Sequence, residues 1–373
     1  MPMSSKERIL AALNREKPDR LPVSVHQWQD YHLKTYLGGI SALEAFKRFG
    51  MDAQIQHLEE HGQFFLMGKD YSLYSTPEWR DEATMLRTDP ADRACRHVVT
   101  TPEGELTYQT EGNEKTVWVT EHLIKSDRDL ELVVKYLPWP KHDNAPVAKL
   151  YDEVGDAGIL RGAVWGDQAG AWQHACCLVD INDLIMKCFD DPVWVHTLLK
   201  ALNERKLAYI ESMKGAKYDI VETGGGASSS TVISPDIHEE FCLPYDRAQH
   251  DALHAVGLKA TYHTCGGTLG IEELIVANHC DASETLAPIS IGGNQEPWEF
   301  AEKIAGRVAL IGGVDQFNVV TDGPAPLIRQ TVRRLFETVG KNGGYVCCLS
   351  DHFFDAPAEH LQVYADAAKE CVY

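Results

Sequence analysis

Residues 258–268 read LKATYHTCGGT, an apolar run through Leu258, Ala260 and Tyr262 that breaks into Gly266-Gly267. The pattern predicts a short buried strand with a sharp exit. Alternate residues of a strand point the same way, so His263 and Cys265 can present an imidazole and a thiolate to one point in space. That is half a metal site. The pair suits zinc, which takes three or four protein ligands. Both residue types also serve as plain packing residues at strand ends, so the rest of the chain decides what the pair means.

Outward from this stretch, strands alternate with helices. Apolar strand patterns centre near residues 23, 53, 161, 220, 260, 284, 310 and 346, with helical patterns between most of them. Ser4 and Glu7 form a capping box ahead of Ile9, Leu10 and Leu13. Ser234-Pro235 opens a helix toward Val256, serine as cap and proline as first helical residue. Strand–helix alternation implies parallel pairing with right-handed crossovers. Eight such units predict an α/β protein, a (β/α)8 TIM barrel read as one domain over residues 1–373. One stretch departs from the rhythm: about 78–125 shows alternation around a Pro102-Glu103-Gly104 turn, which predicts an inserted β-hairpin excursion. It could serve as a lid or as a solvent-facing decoration.

With 373 residues the chain is long enough for such a barrel. A formal charge of −20, from 35 Lys+Arg against 55 Asp+Glu, argues against a nucleic-acid surface or an anionic membrane as partner. No run approaches a membrane span. Ten cysteines without regular spacing, and no signal-peptide pattern in residues 1–16, lead us to expect free thiols in a reducing cytoplasm.

In a barrel the chemistry lies at the carboxyl ends of the strands, and here those ends are polar. The fifth strand exits through His263 and Cys265. The others exit through His26 and Trp28, His57, Trp165 with Asp167 and Gln168, Glu222, Glu284, Asp315 and Gln316, and Asp351 and His352. As further metal ligands the candidates are Glu284 and one of Cys347, Cys348, Asp351 or His352. Cys347 and Cys348 point to opposite faces, and Cys348 is placed ahead of His352 because a second thiolate strengthens zinc binding. Glu222 and His352 are expected as catalytic groups, and His26, Trp28, Trp165, Asp167, Gln168, Asp315, Gln316 and Asp351 as substrate contacts.

The segments KERILAALNREKPDRLPV near the amino terminus, SPDIHEEFCLPY at 234–245, YHTCGG at 262–267 and Gly343-Gly344 resemble the uroporphyrinogen decarboxylase superfamily. The resemblance covers most of the chain outside the excursion. It implies one of two chemistries. A metal-free branch decarboxylates a tetrapyrrole and carries an arginine-bearing segment near the amino terminus. Here Ser24-Val25-His26-Gln27-Trp28 follows Leu21-Pro22-Val23 instead. A zinc-dependent branch moves a methyl group between a methyl-corrinoid protein and a thiol or other acceptor, its zinc held by a His-x-Cys pair and a distant cysteine. The pair is present as His263 and Cys265, whereas the last cysteine would fall near Ser350, in Ser350-Asp351-His352. The resemblance therefore implies a methyltransferase using zinc, a small methylated substrate or thiol, and a corrinoid carried on a separate protein, since nothing in the chain resembles a cobalamin-binding domain. A metal-independent decarboxylase or lyase is the alternative. A two-fold homodimer is the base-rate expectation.

Overall fold

A computed structural model describes residues 2–57, 75–166 and 169–373. Its strands are β1 (Val23–Ser24), β2 (Ala53–Gln56), β3 (Arg80–Asp89), β4 (Asp92–Thr101), β5 (Gly104–Gly112), β6 (Val117–Glu121), β7 (Gly158–Ala163), β8 (Ile220–Gly224), β9 (Ala260–His263), β10 (Ala282–Thr285), β11 (Ala309–Val314) and β12 (Tyr345–Leu349). Eight of them form one parallel sheet in the order β1-β12-β11-β10-β9-β8-β7-β2. All eight expected barrel strands are therefore present. The ring is drawn together between β1 and β2 by Asp52. Its backbone N–H donates to the Val23 carbonyl at 2.7 Å, and its carboxylate accepts from the Val23 N–H at 3.0 Å. Arg8 and Arg20 reach the same buried carboxylate at 2.6 and 3.0 Å, so the charge at this seam is compensated.

Side chains alternate in and out along each strand, and the interior fills in layers. Ile159, Ile220, Ala282, Ala309 and Val346, from the first turns of their strands, pack with Ile9, Ala12 and Leu13 of the helix Ser5–Leu13. That helix closes the amino-terminal end, and its Ser4–Glu7 capping box is formed. Two residues further along, the inward positions carry Arg161, Glu222 and Glu284 in place of aliphatics, all buried. The opposite faces of the strands bury a larger apolar layer against the surrounding helices. Cys347 and Cys348 divide between these layers: Cys347 lies in the outer one and Cys348 in the inner.

The excursion goes further than a hairpin. The expected β4–β5 hairpin is its centre, and β3 and β6 pair antiparallel on either side to give four strands. β3 gave little sequence signal because nearly all its side chains face solvent, so no apolar alternation marks it. The β5–β6 turn touches the barrel rim, where Lys115 donates to Asp355 at 2.6 Å.

The helix expected from Ser234 widens into a π-type turn at His238–Cys242 before continuing as Leu243–Ala255. Pro244 has no N–H to return to the carbonyl four residues back, which explains the irregularity there. This helix backs β9. Tyr262, on the outer face of that strand, donates to Asp246 at 2.8 Å, and its hydroxyl lies 3.2 Å from that of Ser228. Burial pushes the Asp246 carboxyl up to about 7, against the Tyr262 hydrogen bond and the Lys206 charge. A carboxyl raised on folding stabilises the fold fully below its unfolded pKa, and that contribution is lost as pH rises through the folded value. Wild-type stability is expected to fall between about pH 4 and pH 7, by at most about 4 kcal/mol from this group. Asp246→Asn should flatten that slope in urea titrations across the window. An unchanged slope would remove Asp246 as its source.

Candidate metal centre and barrel mouth

The floor of the mouth is an ion cluster. Arg161, in mid-strand on β7 and fully buried, donates through Nη2 to Glu284 at 2.6 and 2.8 Å and to Glu222 at 3.0 Å. Gln56, the last residue of β2, donates to Glu222 at 2.9 Å. One guanidinium serves two carboxylates, so the two do not ionise alike. Burial and the neighbouring Glu284 charge push the Glu222 pKa upward. Glu284 goes down, because the closer Arg161 and His263 outweigh its burial.

His263 stands on this floor. Its Nδ1 lies 3.0 Å from Glu284 Oε1 and 3.9 Å from Glu222 Oε1, while its buried Nε2 has no hydrogen-bond partner among the described residues. Burial by itself would lower the imidazole pKa, but Cys265, Glu284 and Glu222 raise it well above the ordinary value. Cys265 follows two residues on, half-buried, in a loop held by its neighbours. Gly225 N–H donates to the His263 carbonyl at 2.8 Å, and Gly267 N–H donates to Thr231 Oγ1 at 3.0 Å. Gly226 sits directly against the thiol, so that a Cβ there would lie 2.6 Å from Cys265 Sγ. Gly226→Ala should turn the sulfur aside. The expected result is a zinc affinity weakened by about 10–100-fold, the scale on which misplacing a ligand acts, read by competition with a chromogenic chelator. Unaltered affinity would show that the contact does not position Cys265.

Asp351, in the loop after β12, completes a group. Ligand atoms of His263, Cys265 and Asp351 all lie within 4.8 Å of one another. Burial would raise the Asp351 pKa, yet the imidazoles of His263, His352 and His26 around it hold it below the usual carboxylate value. His26, two residues past β1, has its ring centre 5.1 Å from that of His263 and 5.2 Å from that of His352.

Of the other expected residues, Glu284 stays beside His263 and several of the rest lie apart from it. Cys348 is buried in the inner layer with Gln54 Nε2 3.9 Å from its sulfur, outside the groups whose ligand atoms converge. Glu284 lies behind His263, taken up by that imidazole and by Arg161. Trp28 turns into an aromatic cluster with His32, Phe46, Phe49 and Phe353. Trp165 is fully buried against His174, and its carbonyl accepts from Lys206 at 2.5 Å. Asp315 caps the turn after β11, accepting from Phe317 N–H, Asn318 N–H and the Ser290 hydroxyl, with Gln316 buried beside it. Asp167 and Gln168 lie outside the described residues.

Arg161 and Gln56 were not anticipated. The signal for Arg161 was present, a lone arginine inside the apolar run Gly158 to Trp165. A buried strand keeps such a residue only when partners compensate it.

The donors present fit a zinc ion. An imidazole with a bare nitrogen, a thiol and a carboxylate converge, and the other imidazole nitrogen meets a carboxylate, the second partner that metal-bound histidines ordinarily have. Were zinc held there, three protein donors would leave room for a fourth ligand such as a substrate.

A parallel eight-stranded barrel with a polar mouth is thus the class. Residues 117–371 match the uroporphyrinogen decarboxylase (URO-D) family, and the chain belongs to it. No curated protein matches the chain significantly. Among solved structures, a methyltransferase from Methanosarcina mazei is 16% identical over 99% of both chains, with a TM-score of 0.65. A B12-independent methionine synthase from Shewanella sp. W3-18-1 is 13% identical over 94% of this chain and 92% of its own, with a TM-score of 0.47. At these identities the Methanosarcina structure supports the barrel fold. Among the described residues no helix is long and apolar enough to cross a membrane.

Proposed function

We propose that this chain is a methyl-transfer enzyme of the URO-D fold. It would move a methyl group between a small methylated substrate or thiol and a corrinoid carried by a separate protein, with zinc held by His263, Cys265 and Asp351. The observation that carries the reading is the convergence of those three donors at the barrel mouth. Bound there, zinc supplies Lewis-acid chemistry, keeping a thiol deprotonated near neutral pH or polarising a methylated heteroatom.

The protein's own groups prepare the site. Glu284 accepts from His263 Nδ1–H and so leaves Nε2 as the nitrogen that could take a metal. Arg161 compensates Glu284 and fixes both ends of its carboxylate. Glu222, with its raised pKa, holds a proton under conditions where Glu284 is ionised. His352 stands nearer solvent, its Nε2 3.1 Å from Gln27 Oε1. All ten cysteines are free thiols, in keeping with a cytoplasmic setting.

The test is metal analysis of the purified protein with a methyl-transfer assay against a methylated corrinoid and a panel of thiols. Near-stoichiometric zinc and thiol methylation are expected. Metal-free protein that demethylates nothing would end the proposal. A metal-independent lyase is the second reading. It is favoured by Glu222, whose raised pKa lets it hold a proton that a substrate could take up. That reading predicts undiminished turnover of a carboxylated substrate in excess chelator.

A further inference from the structure

We propose a second divalent-cation site at the barrel mouth, formed by His26, Asp351 and His352, with the Asp351 carboxylate shared between the two ions. The inference rests on the reading of His263, Cys265 and Asp351 as the first site. Its geometric basis is a second group that shares only Asp351 with the first: ligand atoms of His26, Asp351 and His352 also lie within 4.8 Å of one another.

The topology makes this a built site. His26 leaves β1 and Asp351-His352 leave β12, and the two strands pair in parallel with Ser24 opposite Cys348. The Tyr364 hydroxyl meets the Ser24 and Cys347 carbonyls at 2.8 and 2.9 Å, holding both strand ends in place. His352 Nε2 is engaged by Gln27 Oε1 at 3.1 Å, which leaves Nδ1 as the free ligand atom, as Glu284 leaves Nε2 free on His263. Among the described residues His26 makes no hydrogen bond, its nearest ionic neighbour being Glu284 at 4.0 Å. The Asp351 oxygen that accepts from the His352 N–H at 2.7 Å is Oδ1. A carboxylate has a second oxygen and lone pairs on both, enough to face two ions.

The buried group of His26, Glu222, His263 and Glu284 is a weaker candidate, because the Arg161 guanidinium already occupies the space between its two carboxylates. Among the described residues no guanidinium lies within the outer group. Two imidazoles and a carboxylate, without thiolate, make a harder donor set than the one containing Cys265, suited to zinc, iron(II), cobalt(II) or manganese(II). Two-metal enzymes hold ions roughly 3.5–4 Å apart across such bridges. With Asp351 and His352 side chains 27% and 37% exposed, the outer ion exchanges more readily than the inner one. It would select substrates that carry an oxygen or nitrogen donor beside the reacting atom.

Cobalt(II) titration of chelator-stripped protein separates the ions, since a thiolate-to-cobalt charge-transfer band reports only the site containing Cys265. Two equivalents are expected, the first raising the band and the second adding only visible d–d absorption. His26→Asn and His352→Asn should each abolish the second equivalent and keep the band, with circular dichroism confirming that both variants fold. Cys265→Ala should lose the band and still bind cobalt at the outer group. Wild-type protein that saturates at one equivalent with the band present would overturn the second site and leave the first standing. Retention of two equivalents in both histidine variants would also overturn it. Failure to bind any cobalt would remove both readings.

Discussion

Arg161→Met lowers the melting temperature by about 4–6 °C, on the expectation that leaving a buried charge uncompensated costs about 3–5 kcal/mol. The guanidinium is fully buried and is bonded to Glu284 and Glu222, both of which lie in the barrel interior. Methionine fills much of the volume but removes the guanidinium that lies between Glu284 and Glu222. The second substitution Glu284→Gln in the Arg161→Met background should recover a good part of the loss, because only one carboxyl remains and it can take a proton. Differential scanning calorimetry on the three variants checks the cycle. An Arg161→Met protein that melts with wild type would mean that water or protonation already compensates the floor.

Cys265→Ala and His263→Ala should each lose zinc on dialysis and lose methyl transfer with it, while the barrel stays folded. These two residues supply two of the three converging donors, and removing a ligand exceeds the roughly 10–100-fold cost of removing the partner behind one. Glu284→Gln belongs to that milder class, since a carboxamide can still accept from His263 Nδ1–H without its charge. The graded series distinguishes a metal site from a histidine–cysteine pair that merely packs. Plasma emission analysis after dialysis should rank wild type above Glu284→Gln, and Glu284→Gln above the two alanine variants. Equal zinc in all four proteins would place the metal elsewhere.

Much of the fold was legible because it is written in short-range patterns. Eight apolar stretches separated by helical periodicity specify the number and order of barrel strands, and the capping box at Ser4 and Glu7 formed as the spacing required. β3 and the helix Asp30–Tyr36 were not legible: the first is solvent-facing over nearly its whole length, and the second buries only His32 and Leu33. Neither leaves an apolar stripe for periodicity to detect.

The site divides along the same line. His263 and Cys265 belong together by strand alternation alone, a relation fixed within three residues. Whether Cys348 or Asp351 stands near them depends on where β12 ends and how its loop turns. Local pattern leaves that open, because the choice is made by the pairing of β12 with β1 and β11. The partners of Arg161 lie 61 and 123 residues away, and His26 meets His352 only because the first and last strands of the ring are neighbours. The amino-acid order alone determined which side chains leave the strands at the mouth. Ring closure, which sets strand register and brings distant loops over one opening, decided which of them meet.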